Sequence, residues 1–236
     1  MNFFFKHDQR LKIPILMYHK VSEVPERNKI IRSTNPAYSI SLEQFRKQME
    51  YIYNNEYHTL SINELLDTSV CDHQESVIIT FDDGWANNYT HAFPILKKLN
   101  LTATLFVISD FVCHPQYVDW YQLREMNKEG ISIQSHTRTH RPLSELLTHE
   151  IQYELEESKK EIEDHLGVVV DFLSMPQGIK DHRVIKIAQV VGYKAICTSE
   201  PGFIHSHGNP TILKRINISD SYQISTFKRI IQTNHR

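Results

Sequence analysis

Short apolar runs alternate with amphipathic stretches along most of the chain. Ile13 to Tyr18 (IPILMY) is almost wholly apolar, the pattern of a strand buried on both faces. Val77 to Phe81, Thr104 to Ile108 and Ile131 to Gln134 repeat the pattern. Shorter strands are predicted near Phe172, over Lys194 to Thr198 and over Leu213 to Ile218. The intervening segments read as helices. Ser41 stands three residues before Gln44, and Ser61 three before Glu64, both capping-box spacings. Phe45, Met49 and Ile52 then recur at helical spacing. Asn88 to Leu99 places Phe93, Leu96 and Leu99 on one side, with Pro94 as a constraint within it. Trp120, Leu123 and Met126 predict a helix that Gly130 ends. The longest stripe, Leu147, Ile151, Leu155, Ile162 and Leu166, lies between Ser144 and Leu166, with Gly167 as its stop. His182 to Val191 and Tyr222 to Ile231 complete the set.

The order is β then α, repeated about seven times, so the fold class is α/β with parallel strands and outer helices. A closed (β/α) barrel and an open doubly wound sheet both fit this pattern. No linker, repeat or low-complexity tract divides the 236 residues, and a single domain, 1–236, is expected. Twenty-six basic residues balance 28 acidic ones, for a formal net charge of -2. That balance excludes a broadly basic face, and no nucleic-acid partner is expected. The three cysteines, Cys71, Cys113 and Cys197, form no CxxC pair and read as small buried hydrophobes. No apolar run approaches the ~20 residues of a transmembrane helix. The MNFFFKHDQRLK start lacks the features of a signal peptide. As it stands the chain reads as cytoplasmic; removal of a leader would make it secreted or cell-surface. Neither GxGxxG nor GxxxxGK[ST] is present, so nucleotide-binding folds have no local support.

Chemistry concentrates in three segments that each follow a predicted strand, the edge on which α/β active sites are built. They are Asp82-Asp83-Gly84, the SHTRTH run from Ser135 to His140, and the MPQG run from Met175 to Gly178. On a helical turn, the spacing of His136 and His140 would put both imidazoles on one side. With one carboxylate they would make a His₂Asp set, a catalytic ligand arrangement for zinc that cobalt or iron also accepts. Adjacent acids then divide two roles: one neutralised by a cation, the other left free to take a proton from water. Spacing alone does not say which acid does which.

ITFDDG, SHTRTH and, loosely, FLSMPQG resemble the three motifs of the polysaccharide deacetylases, the NodB-homology carbohydrate esterases. IPILMYH, LEQFRKQMEYI, SINELL, NNYTHAFPILKKLNLTATLFV and VDWYQLREMNKEG resemble the subgroup acting on bacterial exopolysaccharides such as poly-N-acetylglucosamine. The likeness covers about residues 13–218. It implies a distorted, usually seven-stranded (β/α) barrel. It further implies a divalent metal on Asp83, His136 and His140, zinc by default with cobalt, nickel or iron as alternatives, and Asp82 as general base. The implied reaction removes N-acetyl groups from an amino-sugar glycan, releasing acetate, with the backbone N–H of Gln177 as oxyanion donor. In the exopolysaccharide subgroup the His of the opening YH segment serves as general acid, which points to His19. Trp120 and Pro176 are candidates for lining the sugar site, Trp120 with a core role as its alternative. Ser135 is a candidate to bond a metal ligand, and Asp119 to cap a helix. His205 and His207 read as exposed residues of a loop.

Two departures stand out. The family's third motif commonly carries an Arg two residues before its Pro, where this chain has Ser174. No clear late LxH motif is present, since His235 sits next to the chain end. Ser cannot pair bidentately with a carboxylate, so what orients Asp82 is left open. Rival readings are a deacetylase or deformylase of a lipid- or nucleotide-linked sugar precursor, and a non-catalytic glycan-binding relative.

Overall fold

The structure, a computed structural model, describes residues 12–23, 36–67, 75–178, 181–205 and 211–232. Its frame is a parallel sheet rolled into a nearly closed barrel with helices outside. The strands of the frame are β1 (Lys12–Tyr18), β5 (Ser76–Phe81), β6 (Ala103–Val107), β7 (Ile131–Ser135), β8 (Phe172–Ser174), β9 (Ala195–Cys197), β10 (Phe203–His205), β11 (Ile212–Leu213) and β12 (Ile216–Asn217). Minor strands are β2 (Lys20–Ser22), β3 (Ser39–Ser41) and β4 (His58–Thr59). The main path runs β10-β1-β5-β6-β7-β8-β9-β11, eight strands where seven were expected. The extra strand is β10, which adds antiparallel to β1, and the other neighbours along the path pair in parallel. Closure comes from one short segment: β11 pairs with β9, and after Lys214 and Arg215 the chain pairs with β1 as β12.

Strand parity sorts the core. In a strand, successive side chains point to opposite faces. Ile13, Ile15, Ile78, Phe106, Phe172, Ala195, Cys197 and Leu213 share one buried cluster, which is the barrel interior. Leu16, Tyr18, Ile79, Phe81, Leu105, Ile133, Leu173 and Ile196 share the other, packed under the helices. Both faces are therefore apolar, which is why the strands read as continuous hydrophobic runs. β4 pairs with the first residues of β5, so α2 (Ile62–Leu66) lies at the amino-terminal end of the barrel. Its Ile62 and Leu65 join the interior cluster and plug that end.

The outer layer consists of α1 (Leu42–Asn54), α3 (Phe93–Lys98), α4 (Trp120–Lys128), α5 (Thr148–Leu166), α6 (His182–Val191) and α7 (Ile224–Ile231). Ser61 forms the expected capping box with Glu64, and Asp119 caps α4 through Gln122. Ser41 accepts from the Gln44 N–H as anticipated. The helix expected from Asn88 opens instead with a π-turn, Asn88–Ala92, before α3. Pro94 lacks the N–H that would continue an α ladder there, which accounts for the wider turn. Leu147 falls outside its predicted stripe: it is the N-cap of α5 and 63% exposed. Cys197 is buried as expected, Cys113 is exposed, and Cys71 lies outside the described residues. Among the described residues no helix is long and apolar enough to cross a membrane.

Two glycines with left-handed backbones separate strain from packing. Gly167 ends α5 at φ +66° with open space where a Cβ would stand. Gly178 has the same φ, but its Cβ would lie 2.4 Å from the Ser199 backbone nitrogen. Gly167→Ala is expected to cost only the left-handed strain, about 1–2 kcal/mol. Gly178→Ala adds a backbone clash and should cost about 2–4 kcal/mol. Chemical denaturation of the two variants checks the ordering; equal losses would contradict it.

Candidate active site

The carboxyl-terminal ends of β1, β5, β7, β8, β9 and β11 carry the site, and their register brings them level. Tyr18 pairs with Phe81, Val107 with Ser135, and Ser174 with Cys197. The Asp82 N–H donates to the Tyr18 carbonyl at 2.9 Å, so His19 and Asp82 leave the barrel side by side. Parity then selects which residues turn inward. Thr80 and Asp82 follow Ile78, Ser174 follows Phe172, and Arg215 follows Leu213, each in steps of two from the interior cluster.

Arg215 is the largest fully buried side chain among the described residues. Its two terminal nitrogens donate to the two oxygens of Asp82, both at 2.7 Å, a bidentate fork. Its Nε donates to the Thr198 carbonyl at 3.0 Å, and further bonds reach Thr80 Oγ1 and Ser174 Oγ. Ser174 accepts from Arg215 at 2.9 Å and donates to Asp82 Oδ2 at 3.1 Å. The Arg expected two residues before Pro176 is thus supplied from the closing segment, and Ser174 bridges the pair. Burial alone would raise the Asp82 pKa, but the Arg215 charge and hydrogen bonds outweigh it and hold the group down at about 2. The sequence reading missed Arg215. Its signal was an Arg two residues after Leu213, inside a predicted buried strand.

Asp83 turns the other way. Its φ of +75° swings the side chain out of strand parity toward the loop after β7. Asp83 Oδ1 lies 3.4 Å from His136 Nε2 and 3.6 Å from His140 Nε2. One ligand atom from each of the three residues fits within 4.8 Å of the others. His136 Nδ1 stands 2.8 Å from the Ser174 carbonyl. A carbonyl only accepts, so Nδ1 carries a proton, and in the neutral imidazole Nε2 offers its lone pair to the cluster. This donor set fits a divalent cation with positions left open. Burial raises the Asp83 pKa, and the histidines override it to keep the carboxyl well below its usual range. For His136, burial lowers the pKa, and Asp82 and Asp83 together reverse the sign. His140 is pushed down to about 4 by burial and by His136.

The two histidines do not share a helical turn. Residues 136–142 form an irregular loop in which Thr137 and His140 adopt φ of +66° and +62°. Glu154, buried on α5, holds that loop by accepting from the Arg138 and Thr139 N–H groups and the Thr139 hydroxyl. Ser135 Oγ accepts from the Thr137 N–H and pairs with Ser158, so it contacts no ligand imidazole.

A cavity of about 290 Å³ opens over these groups, lined by His19, Asp82, Asp83, His136 and His140 with Tyr38, Trp85, Gln177 and others. His19 is buried, with its ring 4.5 Å from that of Tyr38 and its Nδ1 without a hydrogen-bond partner among the described residues. Burial lowers its pKa, and the charges of Asp82 and Asp83 oppose that shift. Gln177 lines the cavity from a left-handed turn, φ +59°. Pro176 is buried and absent from the lining. Trp120 is elsewhere: it stacks on His165, centroids 4.1 Å apart, on the outer layer. The aromatic residues at the cavity are Tyr38 and Trp85, which the sequence reading did not single out. His207 and His235 lie outside the described residues.

Fold and site together define a (β/α) barrel with a candidate Asp-His-His cation site and a separate carboxylate locked by Arg215 at its carboxyl-terminal mouth. The chain belongs to the polysaccharide deacetylase family, whose sequence profile matches residues 69–196. It is 31% identical over 231 residues to YxkH of Bacillus subtilis (strain 168), whose name places it provisionally in that family. That match covers 97% of this chain and 79% of YxkH. It is 25% identical to the poly-beta-1,6-N-acetyl-D-glucosamine N-deacetylase of Staphylococcus aureus (strain MRSA252), covering 87% of this chain and 78% of that one. Among solved structures, the Streptococcus pyogenes deacetylase PplD, determined in complex with acetate, superposes with a TM-score of 0.85 at 26% identity. The superposition covers 94% of this chain and 99% of PplD.

The Arg215–Asp82 pair should dominate acid stability. Asp82's lowered pKa stabilises the fold in full above the ordinary carboxylate value of 3.8, and that stabilisation is lost as pH falls through about 2. Arg215→Ala removes the main opposition to burial, leaving the weaker help of His136 and His19, and raises the Asp82 pKa. The variant should lose about 3–5 kcal/mol near neutrality and unfold at higher pH than the parent. Circular dichroism against pH checks this; coincident acid transitions would refute it.

Proposed function

We propose that this chain is a metal-dependent carbohydrate N-deacetylase that removes acetyl groups from N-acetylglucosamine-containing glycan and releases acetate. The observation carrying this reading is the pairing, in one cavity, of the Asp83-His136-His140 cluster with the separately held Asp82. A divalent cation, zinc by default, on Asp83, His136 and His140 would supply Lewis acidity to the acetamide carbonyl and to the attacking water. Asp82 is ionised, buried and fixed in direction by Arg215 and Ser174, and it accepts a proton from that water. The Gln177 N–H stabilises the charge that develops on the carbonyl oxygen. His19, in its protonated form, which the charges of Asp82 and Asp83 favour, donates a proton to the amine as the C–N bond breaks.

The substrate reading draws on the relatives: one is named for de-N-acetylating poly-beta-1,6-N-acetyl-D-glucosamine, and another was solved with acetate. The cavity, about 290 Å³, is at the small end for ligand sites. The glycan-binding alternative rested on Ser174 and the missing late histidine. Arg215 now supplies the contact that Ser174 could not make, and His19 lies within the cavity.

The test is acetate release from N-acetylglucosamine oligomers. Chelation should abolish release, and Zn²⁺ or Co²⁺ should restore it. Asp82→Asn should lower turnover by ~10²–10⁴-fold while metal content is kept, the scale of losing a positioned general base. His19→Ala should give a loss of similar order. Normal turnover in metal-loaded D82N would sink the assignment of the base, and normal turnover in H19A that of the acid. Absence of acetate from every oligomer would sink the substrate reading.

A further inference from the structure

Trp85 follows the paired acids and is the one tryptophan that lines the cavity. Its indole Nε1 donates to Asp83 Oδ2 at 2.8 Å. The other carboxylate oxygen, Oδ1, is the one facing both histidine Nε2 atoms. The two oxygens of Asp83 therefore have separate environments: one turned to the cluster, the other held by an indole N–H.

Several contacts fix the indole. Tyr117 stacks on it, with centroids 4.5 Å apart and planes 22° apart. Lys20 Nζ sits 3.7 Å over the same ring. A stacked phenol and an ammonium cannot share one face at those distances, so the ring is covered on both sides. The backbone is clamped as well: the Ala86 N–H donates to the Gln116 carbonyl at 2.8 Å, and the Val118 N–H to the Gly84 carbonyl at 3.0 Å. Residues 85 and 117 form an isolated antiparallel bridge between these bonds. A ring with both faces occupied makes a poor stacking platform for a sugar. It makes a rigid donor, since the indole N–H has only one role, to donate.

We propose that Trp85 is a positioning residue that occupies Asp83 Oδ2 and thereby confines Asp83 to binding the cation through Oδ1 alone. The inference rests on the metal reading of Asp83, His136 and His140. By restricting Asp83 to one oxygen, Trp85 leaves positions open for water and the substrate carbonyl. Removing the N–H frees Oδ2, lets the carboxylate rotate, and loses the orientation that the hydrogen bond provides. Partners of this kind contribute ~10–100-fold to metal affinity where they have been removed from other sites.

The experiment measures Zn²⁺ affinity by competition with a chromogenic chelator, and the visible absorption of the Co²⁺-loaded protein, for wild type and Trp85→Phe. A second variant replaces Trp85 by benzothienylalanine, which keeps the bicyclic shape and lacks the N–H, and so guards against a folding defect in the first. Metal-free melting temperatures report folding. The expected result is Zn²⁺ binding weakened ~10–100-fold in both variants, with a changed Co²⁺ spectrum showing altered carboxylate ligation. Affinity within about twofold of wild type and an unchanged spectrum in the benzothienylalanine variant would overturn the role of Trp85 alone, since the expected loss is at least tenfold. Wild-type protein that takes up neither metal would overturn this inference together with the metal reading.

Discussion

The bidentate contact between Arg215 and Asp82 is the constraint on which the mouth of the barrel depends. Both groups are removed from water, and neither is tolerable there without the other. The fork uses both oxygens of the carboxylate and leaves Arg215 Nε for the Thr198 carbonyl. One side chain thus ties together residues from β5, the end of β9 and the closing segment. Ser174 on β8 adds a further tie, and its carbonyl sets the tautomer of His136. Closure of the barrel and orientation of Asp82 are consequences of the same contact.

That economy follows from topology. The closing segment must leave β9 and reach β1 within a few residues, and it does so by giving up ladder pairing at Lys214 and Arg215. The break falls where the interior parity of Leu213 carries the next inward side chain above the apolar filling. A long cation can then occupy the top of the barrel while α2 plugs the bottom with Ile62 and Leu65. Apolar packing specifies the lower barrel, and a hydrogen-bonded charge network specifies the upper rim. Such networks hold only when every member is satisfied. The bonds of Arg215 to Asp82, Ser174, Thr80 and Thr198 meet that condition.

Much of this was legible in the chain itself, for reasons that differ by element. Strands β1, β5, β6 and β7 showed because burial on both faces leaves an uninterrupted apolar run. Asp82, Asp83, His136 and His140 showed because each pair is local in sequence and directly follows a strand. Arg215 did not show as a site residue, because its partner is 133 positions away and no local pattern links them. The loop around His140 did not show, because a spacing of four suits a helical turn as well. What decides the matter is Glu154, 14 residues beyond His140, which collects the loop N–H groups that a helix would have used internally. Trp120 drew attention because an aromatic face suits a pyranose, but it packs against the outer core and its ring stacks on His165. In each case the difficulty concerned a side chain whose partner comes from another element.

The adjacent acids resolve into two environments built on opposite principles. Asp82 keeps strand geometry and points into the barrel, where a permanent cation neutralises it and a low pKa follows. Asp83 takes a left-handed backbone and points outward, where an indole and two imidazoles lie against it. Changing one backbone angle therefore converts sequence neighbours into groups with separate partners. The repulsion expected between adjacent like charges is relieved on one side by Arg215. On the other side the indole N–H of Trp85 holds the orientation of Asp83 without cancelling its charge. Nothing in a local motif distinguishes these acids. The difference comes from what the third dimension places beside each.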